Sequence, residues 1–94
     1  MQFTKRLRAG IRRGEITCSV RIWAHPHVKV GGHYAMEDGE IVVDAMRRVE
    51  LDDLTDALAR RSGFIDLSDL LKVAKHGAGS EVYLIDFHFI ASAR

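Results

Sequence analysis

The sequence predicts a single small α+β domain, on three observations. The chain has 94 residues, 47% of them hydrophobic and 29% charged, which is a globular composition in a length that allows one core. Its apolar residues recur at helical spacing at the start and switch to strict alternation from Ile16. An Asp38-Gly39 turn and an aromatic closing segment then add β structure around further helical stretches. A domain this short hides a modest share of its surface, so every element must give a face to a thin core.

Phe3, Leu7 and Ile11 fall at four-residue steps on one face of a helix that runs to about Gly14, with Lys5, Arg8 and Arg12 on another face. Arg12 and Arg13 suit its C-terminal dipole, and Gly14 suits its exit. From Ile16 the period is two. Ile16, Cys18, Val20 and Ile22 should face the core, leaving Thr17, Ser19, Arg21 and Trp23 in a row on the opposite, open face of a half-buried strand. Pro26 ends that strand, and Gly31-Gly32 follows a loop carrying His25 and His27. Asp38-Gly39, between His33–Met36 and Glu40–Val43, predicts a tight hairpin turn with positive φ angles at those two residues and a second strand continuing toward Val49. Leu51, Leu54 and Leu58 predict one helix ending near Arg60-Arg61-Ser62-Gly63. Leu67, Leu70, Leu71 and Ala74 predict another, capped by Asp66 and ending at Gly77. The last strand, Glu81 to Ile90, turns Tyr83, Ile85, Phe87 and Phe89 inward.

No apolar run approaches the roughly 20 residues that span a bilayer, and the N-terminus lacks the apolar segment of a secretory signal, so a cytoplasmic protein without membrane contact is expected. Cys18 is the single cysteine and reads as a buried thiol. The net charge of +1 conceals a split between residues 1–30 at +6 and residues 31–94 at −5. A basic first third argues for attraction to a polyanion.

The stretch Gly14-Glu15-Ile16-Thr17-Cys18-Ser19-Val20-Arg21 resembles the signature of the ASCH domain family, within the PUA-like superfamily. Val28-Lys29-Val30-Gly31-Gly32 is similar to the basic, hydrophobic, glycine segment that follows it there, and Tyr83 to Phe89 resembles the closing strand. The resemblance implies an α+β fold, a PUA-like small mixed β-barrel flanked by short helices and covering residues 1–94 as one domain. It also implies RNA or a modified nucleoside as ligand. Some members are amidohydrolases acting on acetylated cytidine through a lysine, a threonine and a glutamate. Here Ile16 stands at the lysine position, Ser19 at the threonine position, and Arg60-Arg61-Ser62 where the glutamate falls.

The expected interface is Thr17, Ser19, Arg21 and Trp23 with His25, His27 and Lys29, joined by Arg12 and Arg13 of the first helix and by Arg60 and Arg61. Cations to pair with phosphate, hydroxyls, and an indole to stack a base are the chemistry that single-stranded RNA requires. The competing structural reading has Trp23 capping the core edge and Arg21 paired with an acid such as Asp44. A hydrolase would need Ser19 and Lys29 with a loop histidine, since Ser19 alone has no adjacent base. A third reading is a protein-interaction adaptor that docks through the basic helix. His25 and His27, even with His33 or His88, have no cysteine pair or acid at ligand spacing, so no metal or cofactor is expected, and the chain is taken as a monomer.

Overall fold

The computed structural model describes residues 1–74 and 79–92. In chain order it forms α1 (Lys5–Arg12), β1 (Cys18–Trp23), β2 (His33–Met36), β3 (Gly39–Val49), a 3-10 turn (Leu51–Asp53), α2 (Asp56–Arg61), α3 (Leu67–Ala74) and β4 (Glu81–Ala91). The four strands make one curled sheet, a half-barrel in the order β1-β4-β3-β2. Each of its pairings is antiparallel, so the mixed ladder expected from the resemblance is absent from the described residues. β4 returns from the far end of the chain to lie between β1 and β3, which leaves β1 and β2 as edges. A bulge between Val43 and Ala45 bends the long β3–β4 ladder.

Two apolar clusters lie on opposite faces of this sheet. One joins Phe3, Leu7 and Ile11 of the N-terminal segment and α1 to Trp23, Tyr83, Ile85 and Phe87. The other joins Cys18, Val20, Ile22, Val82 and Leu84 to Leu54, Ala59, Leu70 and Ala74 beneath α2 and α3. All six residues of β1 are consequently buried. The expected parity within β1 is present, but the half-buried strand is a fully buried one, because α3 packs on one of its faces and the N-terminal segment around Gln2 and Phe3 on the other.

Local chemistry explains the remaining departures. The segment expected as one helix from Leu51 is broken. Leu54 is extended, and Thr55 starts α2 afresh by accepting a hydrogen bond from the Leu58 amide at 3.1 Å. Met36 pairs with Gly39, so Glu37 and Asp38 form the hairpin turn and Glu37 carries its positive φ of 53°. Gly39 serves a different purpose, because a Cβ there would collide with the Ile90 carbonyl and the Phe89 ring. The Asp66 cap of α3 is present, its carboxylate accepting from the Asp69 amide at 2.9 Å. Gly77, the expected end of that helix, lies outside the described residues.

Candidate nucleic-acid interface

A cleft of about 290 Å³ opens at the edge of β1, between the N-terminal segment with α1 on one side and α3 on the other. Ser19 and Arg21 contribute its polar floor, while Phe3, Leu7, Phe64 and Val73 contribute apolar walls. The Phe87 amide donates to the Thr17 carbonyl at 2.9 Å, just before β1 begins. Within β1, Ser19 and Arg21 stand opposite Ile85 and Tyr83 of β4, and Val20 between them also lines the cleft.

Phe64 is held in its wall by the way α2 ends. Gly63 takes a φ of 97°, its amide donates to the Arg60 carbonyl at 3.1 Å, and the Phe64 amide donates to the Ala59 carbonyl at 2.9 Å. This double closure needs a left-handed residue at Gly63 and projects the following side chain back over the helix.

Arg21 is 8% exposed. Its Nε donates to Ser19 Oγ at 2.8 Å, its Nη2 donates to the Gln2 carbonyl at 2.6 Å, and its guanidinium lies 4.9 Å from the Phe3 ring centroid. No carboxylate pairs with it among the described residues. Its Nη1 has no hydrogen-bond partner among the described residues and is not sealed from solvent, and Arg21 is one of the residues lining the cleft. Burial without an opposite charge disfavours the charged form and lowers the guanidinium pKa from its ordinary value to about 10. Arg21 still carries its charge at neutral pH. Asp44, the acid that the structural reading offered to it, is paired instead with His88 Nδ1 at 2.8 Å.

The other expected site residues are dispersed. Ser19 and Trp23 are 8% and 4% exposed, so three of the four residues expected in a row on an open face, Ser19, Arg21 and Trp23, are buried, on the face that carries Phe3, Leu7 and Ile11. Trp23 stacks on His27 at 4.7 Å between centroids and tilts against Tyr83 at 5.9 Å, so it caps the core edge and offers no bare face. His25 stacks in turn on His27 at 5.6 Å, in a loop that does not line the cleft. Thr17 and Lys29 are exposed outside it, and the Lys29 amide donates to the Tyr34 hydroxyl at 2.9 Å. Ser19 and Lys29 are therefore not brought together.

Arg12 pairs with Asp38, with Glu37 beside it, and covers the Phe89 ring. Arg13 pairs with Glu15 at 2.5 Å, and Arg6 pairs with Asp69 at 2.8 Å while lying over Phe64. Three of the seven cations in the basic first third are thus paired with the protein's own acids among the described residues. Arg60 and Arg61 are exposed at the C-terminal end of α2, where cations complement the helix dipole. Among the described residues no three His, Cys, Asp or Glu side chains converge as metal ligands would. Cys18 is buried, and burial raises its thiol pKa, with the Arg61 charge opposing that shift. No described helix is long and apolar enough to cross a membrane.

Sequence reasoning missed the apolar walls. Phe64 is a lone aromatic after a glycine, and Phe3 and Leu7 read only as core, so nothing in their spacing marked them as lining a cleft. Comparison with known protein families, curated proteins and solved structures finds no match to this chain.

Proposed function

We propose that this protein is an RNA- or nucleotide-binding module of the ASCH and PUA-like kind, with its ligand seated in the cleft beside β1. One observation carries the reading: Arg21, which lines the cleft, is a buried guanidinium without a carboxylate partner among the described residues, and one of its nitrogens is left without a hydrogen-bond partner there. An unpaired buried charge opposes folding, and an incoming anion compensates it. Ser19 Oγ accepts from Arg21 Nε, which leaves its own proton to donate to the same anion. Phe64, partly exposed in the wall, supplies a face on which a base stacks. Gln2 and Thr4 at the rim supply the polar groups that reach ribose or the base edge.

Binding, not hydrolysis, is the activity this chemistry supports. Ile16 carries no titratable group, and Ser19 is hydrogen-bonded to a cation where an activated nucleophile needs a base. A cytoplasmic setting accords with the reading, since a reducing compartment keeps Cys18 a free thiol.

The test is an amide titration of isotope-labelled protein with short single-stranded RNA, acetylated cytidine and free nucleotides at low and physiological salt. Shifts gathered at residues 2–7, 19–21 and 64 are expected, together with at least tenfold weaker binding by Arg21→Ala. The absence of shifts with every ligand at both salts would remove nucleic acid as the ligand class.

A further inference from the structure

We infer that the cleft takes one nucleotide bearing a phosphomonoester, and not the interior of a strand; this rests on the reading of the cleft as a nucleotide site. Proteins that bind single strands without a fixed end track the backbone with a run of cations, one for each phosphate engaged. Among the described residues that line this cleft there is no such run, since Arg21 is the one cationic side chain in the lining. Arg6, the nearest cation over the Phe64 wall, is committed to Asp69, and Arg12 and Arg13 are committed to Asp38 and Glu15. Arg21 is left as the single uncompensated cation lining the cleft among the described residues.

Size and polarity agree with charge. A volume of about 290 Å³ lies at the lower limit of small-molecule sites, which run from about 300 to 1,000 Å³. It accommodates one base with its sugar, and the walls from Phe3, Leu7, Phe64 and Val73 suit a flat, largely apolar body. An internal phosphodiester would have to bring a second nucleotide into that same space. A terminal phosphate brings only itself, and its charge of nearly two makes it the stronger partner for a buried guanidinium. A free nucleoside monophosphate and the 5′-phosphorylated end of a chain present the same group, so both are ligands of this cleft.

The probes are cytidine 5′-monophosphate, cytidine, inorganic phosphate, and one short oligocytidylate prepared with either a 5′-phosphate or a 5′-hydroxyl. Their affinities are measured by calorimetry across a salt series. The monophosphate and the phosphorylated oligonucleotide should bind within about threefold of each other, and cytidine and the hydroxyl-ended oligonucleotide at least tenfold more weakly. The logarithmic salt slope should correspond to about one neutralised phosphate. Arg21→Gln should lose at least tenfold for the monophosphate. Phe64→Leu should lose affinity for the monophosphate while keeping that for inorganic phosphate, which separates the stacking wall from the anion floor. Arg12→Ala with Arg13→Ala should change nothing beyond twofold. If the hydroxyl-ended oligonucleotide binds tenfold or more tightly than the monophosphate, with a slope of several phosphates, the single-nucleotide inference falls and the nucleic-acid reading stands. If none of the nucleotides or oligonucleotides binds, both fall.

Discussion

Three arginines in and just after α1, Arg6, Arg12 and Arg13, and the arginine of β1 solve opposite problems, while Arg8 of α1 donates to the Phe3 carbonyl. Arg6, Arg12 and Arg13 lie at the surface, where water already solvates a guanidinium, and each has a carboxylate. Arg21 lies under cover, where a partner would matter most, and has none among the described residues. Selection for stability alone would produce the reverse, since exposed pairs contribute little and an uncompensated buried charge costs a great deal. The difference separates charges that are neutralised at the surface from one that is buried without a carboxylate among the described residues, and the proposed ligand would account for the second.

A parallel contrast runs through the sheet. Its β1 side is packed on both faces, whereas the β2 side leaves His33, Glu40, Asp44 and His88 exposed on one face, joined as His33–Glu40 and His88–Asp44 pairs. Leu70→Ala, beneath the doubly covered side, should therefore cost about 2–5 kcal/mol in urea unfolding. Val42→Ala, on the open face between His33 and His88, should cost under about 1 kcal/mol. Equal losses would erase the distinction between the two sides. Gly39→Ala should cost about 1–3 kcal/mol, because the new methyl meets the Ile90 carbonyl of β4 and cannot be relieved by a rotamer change. Glu37→Gly, two residues earlier in the turn itself, should instead leave stability unchanged or raise it by up to about 1 kcal/mol, since it removes a side chain from a left-handed backbone at some cost in chain entropy. The same denaturation experiment checks both substitutions.

Glu37 in the turn and Gly39 at the start of β3 show how far the sequence could be read. Asp38-Gly39 announced a hairpin correctly, and the strands it joins are where alternation put them, because turn chemistry and periodicity are local properties. Which residue of the turn takes the positive φ was not legible, since it depends on how closely β4 approaches Gly39. The same limit applied to the site. Alternation separated Ser19, Arg21 and Trp23 from Cys18, Val20 and Ile22, but a period of two states only which side chains share a face. It carries no information about what packs over that face. Arg21 was legible as a candidate and Phe64 was not, because a wall made of residues distant in sequence has no periodic signature.

Acid sharpens the surface half of the comparison with a small effect. Asp69 is held below the ordinary carboxylate range, first by the Ile65 amide and then by the Arg6 charge, against the opposing effect of desolvation. Asp38 is held down mainly by its hydrogen bond to Arg12, and Glu15 by its bond to Arg13. With folded values below the unfolded ones, these groups contribute stability above roughly pH 4, and it is lost as pH falls through the lowered values. The urea midpoint should decline modestly across that window, and Asp69→Asn should flatten part of the decline.

The most direct test of the central claim is the ligand-free stability of Arg21→Met, read as a urea midpoint against the unaltered protein. Methionine keeps much of the volume and the contact with Phe3 while removing the buried charge. If Arg21 is retained for a ligand, the variant should match the parent or exceed it by about 1 kcal/mol. A loss of about 3 kcal/mol or more would contradict the account and return Arg21 to a structural role.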